Sequence, residues 1–164
     1  MTAPEYAEAR DLRRPAPYGA AFLGVLYAGV SAYWTAGGTV LLGTVGGSIA
    51  DLARRGGGAA LGVGLATVLI KLAGGMLALA LVRPWGLRLP PRLLRVTALV
   101  AGALLTLYGG ANVVLGSLAL GGVFGRPADP SALRWHVGVW DLWFLLWGLL
   151  LVAARPRRIV GARV

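Results

Sequence analysis

The 164-residue chain has no cysteine and a single histidine, His136. A disulfide framework, a thiolate metal site, a thiol nucleophile and a histidine-cluster metal site are therefore excluded. Acidic residues number six against 16 basic ones, and every basic residue but Lys71 is arginine. Charged side chains make up 13% of the chain, about half the share of a soluble domain, while hydrophobic ones reach 57%. A membrane protein is the class this composition indicates, and no metal or other cofactor is expected. In a soluble protein the net charge of +10 would point to nucleic acid. Here the arginines sit at the ends of apolar segments, and no basic helix with interleaved aromatics occurs. The charge is read instead as membrane topology and contact with anionic lipid headgroups, with no nucleic acid.

By length the chain is one domain. Crossing a hydrocarbon core takes about 20 apolar residues, and four stretches qualify, at about 18–42, 59–82, 93–120 and 133–154. The third is long enough to tilt or to end in a short re-entrant tail. This divides the chain into a tail (1–17), a transmembrane domain (18–154) and a basic tail (155–164). Arg13 and Arg14 could open a secretory or twin-arginine signal. The apolar part that follows is too long for one, and Pro15 and Pro17 replace the usual hydrophobic pair, so a retained helix is expected.

Arginine counts then orient the spans. Arg10, Arg13 and Arg14, the loop arginines 83, 88, 92 and 95, and the tail arginines 155, 157, 158 and 163 place eleven on one side. Arg54, Arg55, Arg126 and Arg134 leave four on the other. The positive-inside rule puts both termini and the second loop in the cytoplasm. The expected architecture is all-α, an integral membrane four-helix bundle with cytoplasmic N and C termini, in the inner or plasma membrane. In the first loop, Ser48 and Asp51 have capping-box spacing before 52–55, and glycines 56–58 stop the turn, so a short interfacial helix is expected. Pro84 and the pair Pro90–Pro91 break the chain between spans two and three, with Trp85 as an interfacial aromatic.

Glycine numbers 26, much of it inside the spans. Ala20, Gly24, Ala28, Ala32 and Ala36 recur every four residues in span one, as do Ala98, Gly102, Thr106 and Gly110 in span three. Such ridges let membrane helices approach closely, and a homodimer or partner-protein face is the rival use of one of them.

Lys71 interrupts the second span. A charge near the bilayer centre costs roughly 2.5–3.5 kcal/mol on lenient insertion scales, so it faces protein or a cavity and has a partner. At ~1.5 Å per residue, Lys71 lies ~18 Å from the outer end of its span and Asp141 ~12 Å deep, with Asn112 at a similar depth and Tyr108 one turn deeper. Ser31, Tyr33, Trp34 and Thr35 come from the outer half of span one, and His136 lies near the outer surface. Each span thus contributes to one polar layer, with Asp141 as counter-charge to Lys71 and the Asn112 amide able to bridge them. The layer reads as a structural ion pair or as a ligand or proton site opening outward. His136 could relay protons to Asp141, although positions five apart point about 140° away from each other on an α-helix. Trp135 fits the interfacial belt, and Trp140, Trp143 and Trp147 share one face, for packing, lipid contact or a flat apolar site.

The segment Tyr33-Trp34-Thr35-Ala36-Gly37-Gly38 resembles the aromatic-plus-Gly-Gly signature of the domain-of-unknown-function 3995 family. The run 134–148, with its Trp140-Asp141-Leu142-Trp143-Phe144 cluster, resembles the last span of that family, and Tyr108-Gly109-Gly110-Ala111-Asn112 its third. The resemblance covers residues from about 19 to 154. It implies a small bacterial multi-pass protein, a four-span bundle in the cell membrane, and no established reaction. A histidine is expected before the Tyr-Trp pair; here Ser31 and Ala32 stand there, which weakens a catalytic role for that position.

The functional expectation is a small multi-pass membrane protein without enzymatic activity, a partner subunit with Lys71, Asp141 and Asn112 in an outer-half polar layer. One alternative is a small-ligand or lipid binder or transporter subunit using that layer and the tryptophan stripe. Four spans without an inverted repeat are few for alternating access. Another is a membrane-embedded enzyme on a lipid or isoprenoid, with Asp141 as acid or base. No metal triad, nucleophile elbow or phosphate loop supports it. No catalytic residue is assigned; the candidate site comprises Lys71, Asp141, Asn112, His136, Tyr108, Tyr33, Trp34 and Trp140.

Overall fold

A computed structural model describes residues 15–154. The arginines of both tails, expected on the cytoplasmic side, lie outside the described residues. Those residues form an all-helical fold: α1 (Pro15–Thr35), the short α2 (Leu42–Val45), α3 (Gly47–Arg55), α4 (Gly57–Ala80), a 3-10 turn (Pro84–Arg88), α5 (Pro91–Leu120), α6 (Pro130–Trp135), a π-helical turn (His136–Trp140) and α7 (Asp141–Ala153). The last three run on as one 24-residue helical rod, Pro130–Ala153.

Among the described residues three helices are long and apolar enough to cross a membrane: Gly57–Ala80, Pro91–Leu120 and Pro130–Ala153. At 21 residues α1 is also long enough, at about 31 Å. It is not among those three, and it carries Tyr18, Tyr27, Ser31, Tyr33, Trp34 and Thr35.

Local chemistry sets the ends of these helices. Proline occupies the first turn of α5 and α6, where its missing N–H is no loss, and the Asp129 carboxylate accepts the Ala132 N–H at 2.9 Å. α1 stops at Thr35, earlier than its apolar run suggests. Gly38 N–H donates to the Tyr33 carbonyl and Gly37 N–H to that of Trp34, which is the paired bonding of a Schellman cap. Gly37 has φ +93°, a region that glycine enters without strain. Hydropathy continues to residue 42, but the backbone has already turned. Ser48 does not cap α3 either: Gly46 precedes the helix, no side chain caps it, and Asp51 pairs with Arg54 at 3.5 Å instead.

The four long elements lie side by side in the order α4, α1, α7, α5. α4 runs along α1, α5 along α7, and α1 against α7. α4 and α5 meet around Ala80, Leu81, Leu94 and Ala98, close to the 3-10 turn that joins them. The seams follow glycine. A Cβ on Gly109 would meet the Asp141 carbonyl oxygen at 2.5 Å, and one on Gly148 would meet the Thr106 nitrogen at 2.5 Å. A Cβ on Gly24 would lie 2.9 Å from the Cα of Gly75.

The expected four-residue ridges need correction. Ala32, Ala36 and the loop beyond are exposed, and Gly110 is half-buried while Gly109 is buried. The ridge on α1 is buried over Ala20, Gly24 and Ala28, where Pro17 and Ser31 join it, and on α5 the buried line continues from Ala98 and Gly102 through Gly109 and Gly116. A four-residue step drifts about 40° around a helix each time. A seven-residue step drifts ~20°, so over several turns it keeps facing a neighbour.

Candidate functional site

Lys71 lies on the seven-residue line of α4, between Gly64 and Ala78, and faces α1. The glycines around it matter because they bring the two backbones together. A Cβ at Gly64 would meet Thr35 Cγ2 at 2.8 Å, and one at Gly75 would meet the Ala21 carbonyl at 3.3 Å. In that seam the Lys71 ammonium donates to Ser31 Oγ at 2.5 Å and stands 3.6 Å from the centroid of the Tyr27 ring. Ser31 and Tyr27 are buried, at 5% and 7% exposure. A cation over an aromatic face gains about 2 kcal/mol when desolvated.

Asp141 does not pair with Lys71. Its carboxylate lies 3.5 Å from His136 Nδ1, and among the described residues it forms no ion pair with the lysine. The physical reason lies in the π-helical turn. Asp141 N–H donates to the carbonyl of His136, five residues back, so the extra residue in that turn brings two side chains to one face that an α-helix would separate. The expected 140° divergence is thereby removed. Such turns recur at functional sites.

His136 reaches in a second direction, to the Val45 carbonyl at 2.7 Å from Nε2. Trp140 Nε1 donates to Thr44 Oγ1 at 3.1 Å. The end of α2 is therefore fastened to the last rod by two side chains of the π turn. Trp34, at the end of α1, ties the same loop from the other side, its Nε1 donating to the Val40 carbonyl at 2.8 Å. The Val40 N–H donates to the Tyr33 hydroxyl at 3.4 Å, and the Tyr33 ring covers Gly38 so closely that no Cβ fits there. The Tyr-Trp and Gly-Gly halves of that segment thus form one folded turn.

Tyr27 joins the two clusters. Its ring stacks on Trp140 at 5.9 Å between centroids, and packs on Trp143 at 5.4 Å and Phe144 at 5.2 Å. Sequence reasoning missed Tyr27. Its signal was available, since it lies four residues before Ser31 on the same face of span one.

Asn112 and Tyr108 stay apart from the lysine. The Asn112 amide donates to the Tyr108 carbonyl within its own helix at 3.0 Å, so it bridges no ion pair. Tyr108 is 54% exposed and meets the edge of Phe144 at 5.3 Å. The tryptophan stripe faces α1. Trp143 Nε1 donates to the Leu23 carbonyl at 3.2 Å, and Trp147 is 3% exposed, lying where a Cβ on Gly24 or Gly74 would go. The Trp147 indole N–H has no acceptor. Two shallow grooves of about 470 and 480 Å³ lie on outward faces, one beside Val30 and Tyr33 of α1 and Val40 of the loop after it, the other beside Thr106, Gly110 and Val114 on α5. Among the described residues no three metal-ligating side chains cluster.

What the arrangement can do chemically is limited and definite. A cation is held in an aromatic and hydroxyl seam, and a separate His–Asp pair pins a loop. Comparison with curated proteins and with solved structures finds no match. The family model described as a protein of unknown function (DUF3995) matches residues 24–151, a range that takes in the Tyr-Trp turn, Lys71 and the π turn. That match spans most of the chain, which therefore belongs to the DUF3995 family.

Proposed function

We propose that this protein crosses the cell membrane four times as a helix bundle, with both termini and the segment around the 3-10 turn in the cytoplasm. Its role is that of a non-enzymatic partner subunit. The observation that carries the reading is that the ionisable side chains inside the bundle, with the Trp140 indole, engage one another, a neighbouring side chain or the backbone. Lys71 is held by Ser31 and Tyr27, Asp141 by His136, His136 by Val45, and Trp140 by Thr44. An enzyme would need an acid or base facing a substrate, and Asp141 is 5% exposed behind His136. The packing of α1 between α4 and α7 supports counting it as a span despite its aromatic content. Eleven of the fifteen arginines on one side support the orientation and a contact with anionic headgroups. A ligand-binding reading is favoured by one feature, that no acid among the described residues pairs with Lys71.

The natural absence of cysteine makes the topology directly testable. Ile49→Cys and Phe124→Cys, at positions 53% and 65% exposed, should react with an impermeant maleimide on intact cells. Leu87→Cys, at 52% exposure, should react only after the membrane is opened. Labelling of Leu87→Cys on intact cells would contradict the orientation.

A further inference from the structure

Among the described residues no acid cancels Lys71. The chain has six acids, and three of them, Glu5, Glu8 and Asp11, precede the described residues. Each of the others is engaged elsewhere. Asp51 pairs with Arg54 at 3.5 Å, Asp129 caps Ala132 at 2.9 Å, and Asp141 pairs with His136 at 3.5 Å. Ser31 and Tyr27, which hold the ammonium, carry no negative charge. Of its three N–H donors, Ser31 Oγ takes one and the Tyr27 ring faces the ammonium, so hydrogen-bonding capacity remains. Lys71 is half-buried, so it is not sealed off by its own seam.

We propose that Lys71 is a binding point for a carboxylate that the described residues do not supply, carried by an acidic side chain of another membrane-spanning helix. Depth selects the chemistry, and to that extent the proposal rests on the spanning reading above. Lys71 lies 14 residues from the start of α4 and nine from its end, or ~21 Å and ~14 Å along the helix. Phospholipid phosphates sit at the interface, outside a hydrocarbon core of about 30 Å. An acidic side chain on another spanning helix holds a carboxyl group at that depth, whereas a fatty-acid carboxylate anchors at the interface as a phosphate does. Such a side chain presents two acceptor oxygens, which suit the remaining donors of an ammonium and cancel its charge. Intramembrane cations typically find such partners.

The full chain in lipid nanodiscs provides the test, with two probes and their matched controls. One probe is carboxyl-13C oleate against oleamide. The other is a leucine-rich spanning peptide with one central glutamate against its glutamine twin. The glutamate peptide should bind the wild-type protein tenfold or more tightly than its glutamine twin, and Lys71→Met should abolish that preference. Preference for oleate over oleamide without preference for the glutamate peptide overturns the proposal in favour of a lipid acid. The acid–amide comparison needs no variant, so a poorly folding Lys71→Met leaves the test intact. Equal binding of acids and amides by the wild type, or a preference that survives Lys71→Met, overturns the proposal. Maleimide labelling reports the topology separately, so failure of one reading is distinguishable from failure of the other.

Discussion

The α1–α4 and α5–α7 seams obey one rule and differ in a single step. Each is lined by residues seven apart, Gly102, Gly109 and Gly116 on α5, and the small residues Gly64 and Ala78 with Lys71 between them on α4. On α5 the middle step is a glycine, and backbone meets backbone. On α4 it is a lysine, and α1 answers with Ser31 and Tyr27 rather than with glycine alone. The α5–α7 seam is thus a packing device, whereas the α1–α4 seam holds a charge as well. The comparison teaches that a tight glycine seam can accommodate one long cation, provided the facing helix supplies a hydroxyl and an aromatic face.

The largest effect should come from Trp147, which fills the space left by Gly24 and Gly74 and ties α7 to the α1–α4 pair. Trp147→Ala should cost about 3–5 kcal/mol, read as a lowered unfolding midpoint in detergent. Trp147→Phe should cost much less, since it keeps an aromatic ring in the slot and removes an N–H that has no acceptor. Next comes Gly109→Ala, whose new Cβ meets α7 backbone at 2.5 Å and should cost about 1–3 kcal/mol. The matched control is Gly62→Ala on α4, where nothing lies within 4 Å; the substitution should be neutral or stabilise by up to about 1 kcal/mol. A comparable loss at both glycines would erase the distinction between seam and lipid face. A smaller effect is expected at the π turn. His136→Ala and Thr44→Ala should each cost on the order of 1 kcal/mol and raise protease access to the segment around Val45, where α2 is fastened.

Much of this was legible in the sequence, and the rest was not for definite reasons. Hydropathy located the long helices, because membrane length and apolar content act residue by residue. It overran the end of α1 because the Schellman cap at Gly37 and Gly38 is set by backbone geometry and bonding, to which hydropathy is blind. The four-residue ridges began in the right place, at Ala20 and Gly24 and at Ala98 and Gly102, then drifted off the interface by Ala32 and Gly110. The pairing of Lys71 with Asp141 was drawn from depth and charge, which fix height but leave direction around the helix axis open. A π turn cannot be read from periodicity that assumes 3.6 residues per turn, and that turn gave Asp141 to His136. Tyr27 went unnoticed because aromatic residues in an apolar span resemble packing, which is part of what it does.

The central claim is that Lys71 belongs to Ser31 and Tyr27 and not to Asp141. Double-mutant cycles on unfolding in detergent test it most directly, with Lys71→Met combined in turn with Tyr27→Leu, Ser31→Ala and Asp141→Asn. The structure predicts coupling of about 0.5 kcal/mol or more between Lys71 and both Tyr27 and Ser31, and additivity with Asp141 within about 0.3–0.5 kcal/mol. Strong coupling to Asp141 together with additivity at Tyr27 and Ser31 would contradict it.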